Sequence, residues 1–197
     1  MLPPAVRPFT PGCAVRHYFT ALYLKINAEK GMVIKMERVS KHNYYLDIAE
    51  TVSERATCLR RRYGAIIVKN DVIISTGYNG APRGRRNCTD IGSCTRENMG
   101  IPRGERYEMC RAVHAEANAI IAAPRENMLG STLYICCTDP SDGSVISGVC
   151  SCMMCKRLVI NAGISRVIVR ENAEEYTVYD VAEWIHTDDS LSGKFGY

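Results

Sequence analysis

The sequence predicts an α/β fold, and three features predict it. From about residue 44, segments with helical apolar spacing alternate with short β-rich runs in the order α-β-β-loop-α-β-α-β. The stretch "YGAIIVKNDVIISTGYNG" reads as a hairpin. Two later β-rich runs, "STLYICC" and "SRVIVR", lie on either side of a helical stretch. With 197 residues and 46% apolar content, the chain suits one domain with a substantial core.

Residues 1–35 stand apart, being proline-rich and without a sustained apolar period. They read as a poorly structured or non-native extension, with Met32 or Met36 as a candidate natural start; a helix around Tyr18–Ala28 is the alternative. The folded domain is expected over 36–187 and a tail over 188–197. "MERVSKHNYYLDIAETVSERATCLRRR" places Tyr45, Ile48, Ala49 and Val52 at helical spacing. Strands over 65–69 and 72–77 flank Asn70-Asp71, a tight-turn signal, and end at Gly77, Asn79 and Gly80. A polar segment, 81–110, holds Cys88, Cys94 and Cys110. The helix "RAVHAEANAIIAA" is stopped by Pro124. "STLYICC" is a strand, "TDPSDGSVISG" a loop, and "SCMMCKRLVINAG" a helix ended by Gly163. "SRVIVR" is a further strand, and "EEYTVYDVAEWIHTDDS" reads as a short strand followed by a short helix.

The net charge of +4 permits an anionic ligand without by itself calling for nucleic acid. Arg60, Arg61, Arg62, Arg83, Arg85 and Arg86 are either a solvated basic face or contacts for phosphate. A longer nucleic acid calls for aromatic residues beside the charge. The chain has three Phe and one Trp, and its tyrosines do not cluster with these arginines. Ten cysteines could form a disulfide set. However, the apolar run "YFTALYL" is too short to span a bilayer and has no clear small-residue cleavage site. The expectation is a cytoplasmic chain with no membrane partner, whose cysteines bind metal or catalyse.

His114, Glu116, Cys152 and Cys155 form the decisive set. Cys152 and Cys155, three apart at a helix start, present both thiols on one face, where the helix dipole favours thiolate. His114 falls in the first turn of another helix. One imidazole and two thiolates give zinc three protein ligands and leave a fourth position for water, the layout of a catalytic site. Glu116 is close enough to carry protons without being a ligand. Taken singly, each feature has a plainer reading. The Cys-x-x-Cys could be a redox pair, His114 an ordinary helix-start residue, and Glu116 a dipole partner. A Cys150/Cys152 ligand pair is a further alternative.

His-x-Glu followed by Cys-x-x-Cys is the zinc deaminase signature. "HAEANAI" with "SCMMC" resembles the cytidine/deoxycytidylate deaminase superfamily. "TCLRRRYGAIIVKN", "GYNGAPRG", "CTDIGSC", "GIPRGERYEMCRAVHAE" and "KRLVINAGI" are similar to bacterial deoxycytidylate (dCMP) deaminases, including the late-competence operon type. The resemblance covers about 40–170. It implies a three-layer α/β/α fold with a central mixed sheet of four to five strands. It also implies hydrolytic deamination of dCMP to dUMP and ammonia, with Zn2+ on His114, Cys152 and Cys155 and with Glu116 as proton carrier. Backbone near Ala115 and Ser151 would orient the base edge, and Asn79 would bond the sugar. Ser151 stands where the family has proline, and serine can cap the helix instead.

The family further implies dCTP and dTTP as effectors, Mg2+ with the effector nucleotide, and a homo-oligomer, foremost a hexamer. Related phage enzymes hold a second zinc with two cysteines and two histidines. Cys58 and Cys88 match those cysteines, and Cys94 and Cys110 would replace the histidines; scattered thiols are the other reading. Cys13, Cys136 and Cys137 read as packing or tail thiols, and Tyr134 as a core residue or one near the site. A deaminase of tRNA or of another small heterocycle stays open, as does a non-catalytic zinc protein of DNA uptake. Glu116 argues against the last, since a structural site needs no proton carrier.

Overall fold

The computed structural model describes residues 38–102 and 104–187. The expectations for 1–35 and 188–197, including the Tyr18–Ala28 helix and Cys13, lie outside the described residues. Ser40 opens the first helix, its hydroxyl accepting from the Asn43 N–H at 3.2 Å. This helix, α1 (Lys41–Ser53), buries Tyr45, Leu46, Ala49 and Ser53. Strands β1 (Arg62–Lys69) and β2 (Val72–Tyr78) pair antiparallel. Asn70 and Asp71 between them have φ of 51° and 63°, the paired left-handed geometry of a two-residue hairpin turn.

The polar segment is not wholly loop. It contains α2 (Cys88–Ile91), α3 (Thr95–Asn98) and a 3-10 turn over Tyr107–Met109. After it come α4 (Ala115–Ile121), α5 (Arg125–Met128), β3 (Thr132–Thr138), α6 (Met153–Ala162), β4 (Arg166–Arg170), β5 (Tyr176–Asp180) and α7 (Val181–His186). The sheet is five-stranded in the order β2-β1-β3-β4-β5. Only β3 and β4 are parallel.

Alternation along the strands feeds two cores. On one face Ile66, Tyr134, Cys136 and Ile168 meet Tyr45, Leu46 and Ala49 of α1. On the other, Ile67, Leu133, Ile135 and Val167 meet Ala115 and Ala119 of α4 and Val159 of α6. The result is the three-layer α/β/α arrangement, with five strands in the sheet. Tyr134 belongs to the α1 face, its hydroxyl 3.0 Å from His42 Nδ1, so it is a core residue.

Two helices are shorter than their sequence suggests. The helix expected over 111–123 is confined to Ala115–Ile121, because the Val113 backbone bridges to Gly80 (N···O 2.8 and 3.2 Å) and holds the preceding residues extended. The helix expected from 151 begins at Met153. Cys152, extended at φ −66° and ψ 164°, is its N-cap, so the cap expected of Ser151 is not formed. The helix ends as expected at Gly163, with φ 78°.

Gly77 sets the depth of α4 against the sheet. A Cβ there would meet Ala115 O and Ala119 N, each at 2.3 Å. Both neighbours are backbone and cannot swing aside. Gly77→Ala is therefore expected to destabilise the fold by about 1–3 kcal/mol and to displace the helix start that carries His114. Thermal denaturation measures the first effect; a melting temperature equal to the parent's would show that α4 slides freely.

Candidate metal centre and active site

The two helix starts that face each other across the sheet's end carry the site. His114 is the N-cap of α4 and Cys152 the N-cap of α6, with Cys155 in the first turn of α6. Asn118 Nδ2 donates to Tyr78 O at 2.7 Å, tying α4 to the end of β2. His114 Nδ1 lies 3.5 Å from Cys152 Sγ and 3.3 Å from Cys155 Sγ. All three donor atoms fall within 4.8 Å of one another, the one such group of His, Cys, Asp and Glu among the described residues.

The donor set fits zinc. Zn–S near 2.3 Å and Zn–N near 2.0–2.1 Å at tetrahedral angles require S···N of about 3.6 Å, and the observed separations lie within a few tenths of that. The thiols are electrostatically unequal. A hydrogen bond from Cys155, followed by His114, holds the Cys152 thiol down to about 4. The hydrogen bond to Cys152, then burial and the charge of Glu116, push Cys155 up. Burial works against charge on His114, but the hydrogen bond to Cys152 and the charge of Glu116 outweigh it, and its pKa is raised. The pocket thus favours thiolate at Cys152.

Glu116 is 5% exposed. Burial raises its carboxyl pKa, and His114 offsets this only in part. A carboxyl so placed exchanges a proton nearer neutrality than an exposed one does. Ala115 and Ser151 are buried beside it, and the Ser151 hydroxyl makes no hydrogen bond of good geometry. Cys150 is exposed, lies beside the Tyr179 hydroxyl, and falls outside the His114–Cys152–Cys155 group. The Cys150/Cys152 alternative is therefore not the pair that the fold brings to His114.

These residues open onto a cavity of about 640 Å³ that includes Asn79, His114, Ala115, Glu116, Ser151 and Cys152 in its wall, a size suited to a small organic ligand. Asn79 is buried. Its Oδ1 accepts from Tyr63 N at 2.8 Å and its Nδ2 donates to Arg61 O at 3.0 Å, which leaves one N–H and one lone pair unspent. Of the six arginines singled out by sequence, Arg60 and Arg61 reach the cavity wall, and Arg62, Arg83, Arg85 and Arg86 do not.

Cys58, Cys94 and Cys110 also line the cavity. Cys88 lies close by, its thiol pushed up by burial first and then by Cys58, Cys110 and Cys94. The four share a neighbourhood, but no three of them form a set as tight as the His114 group.

Sequence reading missed Tyr63, Arg96, Tyr107 and Lys156, all in the wall. The Tyr107 ring stands edge-on to His114 at 5.0 Å, and the Arg96 guanidinium lies 4.5 Å over Tyr107. Lys156 was findable, being four residues after Cys152 on one helix face. Arg96 and Tyr107 sit in the aperiodic polar segment, which carries no spacing signal.

Residues 39–171 match the family described as the cytidine and deoxycytidylate deaminase zinc-binding region. The chain is 33% identical over 131 residues to a deoxycytidylate deaminase of Schizosaccharomyces pombe, a match covering 66% of this chain and 37% of that protein. It is 36% identical over 138 residues to the deoxycytidylate deaminase of Mycobacterium phage D29, covering 68% of this chain and 96% of the phage protein. ComE operon protein 2 of Bacillus subtilis is 30% identical over 149 residues, covering 75% of this chain and 67% of that protein. The chain thus spans nearly all of the phage relative but little more than a third of the yeast one.

Proposed function

The chain belongs to the cytidine and deoxycytidylate deaminase zinc-binding family, and from that premise we propose that it hydrolyses dCMP to dUMP and ammonia. The observation that carries this reading is the buried Glu116 set beside a His114–Cys152–Cys155 group whose spacing suits zinc. Zinc held by those three side chains supplies a Lewis acid that makes water nucleophilic near neutral pH.

The chain's own groups do the rest. Glu116 takes the proton of the attacking water, delivers it to N3 of cytosine, and later helps to protonate the departing amine. The backbone at Ala115 and Ser151, both buried beside Glu116, holds the base edge. Asn79, with one N–H and one lone pair left over, reaches the sugar. The catalytic domain in this reading is 36–187. Among the described residues no helix is long and apolar enough to cross a membrane, and we place the enzyme in the cytoplasm.

The proposal extends to a second, structural zinc on Cys58, Cys88, Cys94 and Cys110. What supports it is their shared neighbourhood in a segment too poor in apolar residues to hold itself. The family resemblance supports activation by dCTP with Mg2+, inhibition by dTTP, and a homo-hexamer.

A substrate panel tests the reading. Zinc-loaded protein given dCMP, cytidine, dCTP and tRNA is expected to turn over dCMP at the highest kcat/KM, with rates that dCTP and dTTP shift in opposite directions. Preference for tRNA or cytidine would overturn the substrate assignment while leaving the chemistry in place.

A further inference from the structure

His114 turns Nδ1 toward the metal group, and both of its ring's close polar neighbours, Cys152 and Cys155, lie at that nitrogen. A zinc-bound histidine almost always gives its other ring N–H to a carboxylate, a carbonyl or a water, which fixes the plane of the imidazole. Among the described residues no carboxylate or carbonyl bonds this imidazole. What packs against it is an aromatic ring. The Tyr107 and His114 rings lie 5.0 Å apart between centroids and cross at 87°, the edge-to-face arrangement that aromatic rings favour.

Tyr107 is itself held. The guanidinium of Arg96 lies 4.5 Å over its ring, within cation–π range. Arg96 is buried, donates to Pro102 O at 2.8 Å and to Glu105 O, and accepts at its own carbonyl from Ile101 N at 2.9 Å. The polar segment thus wraps around one cation. Among the described residues no carboxylate pairs with it, and its buried Nε has no hydrogen-bond partner. A charge withdrawn from water needs compensation, and here two carbonyls and the π face of Tyr107 supply it. The ring cannot leave the guanidinium without removing part of that compensation, so the two hold each other in place.

We infer that Tyr107, braced by Arg96, is the positioning residue of His114: its ring fixes the imidazole plane that a hydrogen bond fixes in most zinc sites. Both residues come from the aperiodic segment 81–110, which therefore supports the metal group as well as lining the cavity. The inference rests on the zinc assignment made above and is independent of the choice of dCMP as substrate.

The test is zinc affinity, measured by competition with a chelating dye on the full chain, for the parent, Tyr107→Phe, Tyr107→Leu and Arg96→Met. His114→Ala gives the baseline for zinc held elsewhere. Tyr107→Leu, which loses the ring, is expected to bind zinc about 10- to 100-fold more weakly, the usual cost of losing a residue that orients a ligand. Tyr107→Phe keeps the ring over its cation and should stay close to the parent, with Arg96→Met between. The visible absorption of the Co2+-loaded protein reports ligand geometry. Its bands should shift in Tyr107→Leu and overlie the parent's in Tyr107→Phe, whereas loss of packing alone would lower the melting temperature and leave the bands in place. Should Tyr107→Leu or Arg96→Met fail to fold, the other decides. Parent-like affinity and unmoved bands in the variants overturn the positioning role. Equal losses in Tyr107→Phe and Tyr107→Leu overturn it too, by assigning the effect to the hydroxyl. A parent that holds no zinc beyond the His114→Ala baseline overturns the zinc assignment, and this inference with it.

Discussion

Cys152→Ser and Cys155→Ser are each expected to purify without the catalytic zinc and without measurable turnover, whereas Cys150→Ser keeps both. The two thiols sit 3.5 and 3.3 Å from His114 Nδ1 and complete the one tight donor group among the described residues. A neutral hydroxyl replaces a thiolate ligand poorly. The loss should exceed the roughly 10- to 100-fold typical of residues that only support a ligand. Cys150 is exposed beside Tyr179 and takes no part in that group. Metal counting on the purified variants reads the result. Including Cys58→Ser extends the count to the second site. With two zincs in the parent, that variant should lose about one per chain and much of its stability, and a parent with one zinc per chain refutes the structural site. A dead Cys150→Ser beside a live Cys152→Ser would show that the ligand pair is the other one.

Glu116→Gln is expected to keep its zinc and lose about two to four decades of kcat, the usual worth of a positioned acid–base group. The amide preserves the shape of a side chain that is only 5% exposed, so the packing around α4 should stand. It cannot accept and return a proton. Equal zinc content with near-full turnover would remove Glu116 from the proton path. Loss of zinc together with activity would instead make it a structural support of the metal group.

Sequence legibility followed periodicity. The hairpin could be read because Asn70-Asp71 is a strong local turn signal, and both residues adopt the left-handed geometry it calls for. The strand and helix at the C-terminal end of the sheet, Tyr176–Asp180 and Val181–His186, were also placed in the right order. The starts of α4 and α6 were misjudged by a few residues, for a tertiary reason. Val113 is held extended by its bridge to Gly80, a contact between residues far apart in the chain that no local pattern reveals. Likewise His114 and Cys152 are N-caps instead of first-turn residues, though their convergence does not depend on that distinction. Arg96 and Tyr107 escaped notice because 81–110 has no repeating apolar pattern. Its short helices are held by contacts such as the Arg96 bonds to Pro102 and Glu105.

Zinc on His114, Cys152 and Cys155 is expected to support deamination of dCMP. Its most direct test is the ultraviolet change on conversion of dCMP to dUMP, recorded on one sample as purified, after zinc removal by a chelator, and after zinc is restored. Turnover is expected to be lost with the metal and to return with it. A chain that converts dCMP equally well without zinc, or that binds zinc at this group and leaves dCMP intact, would contradict it.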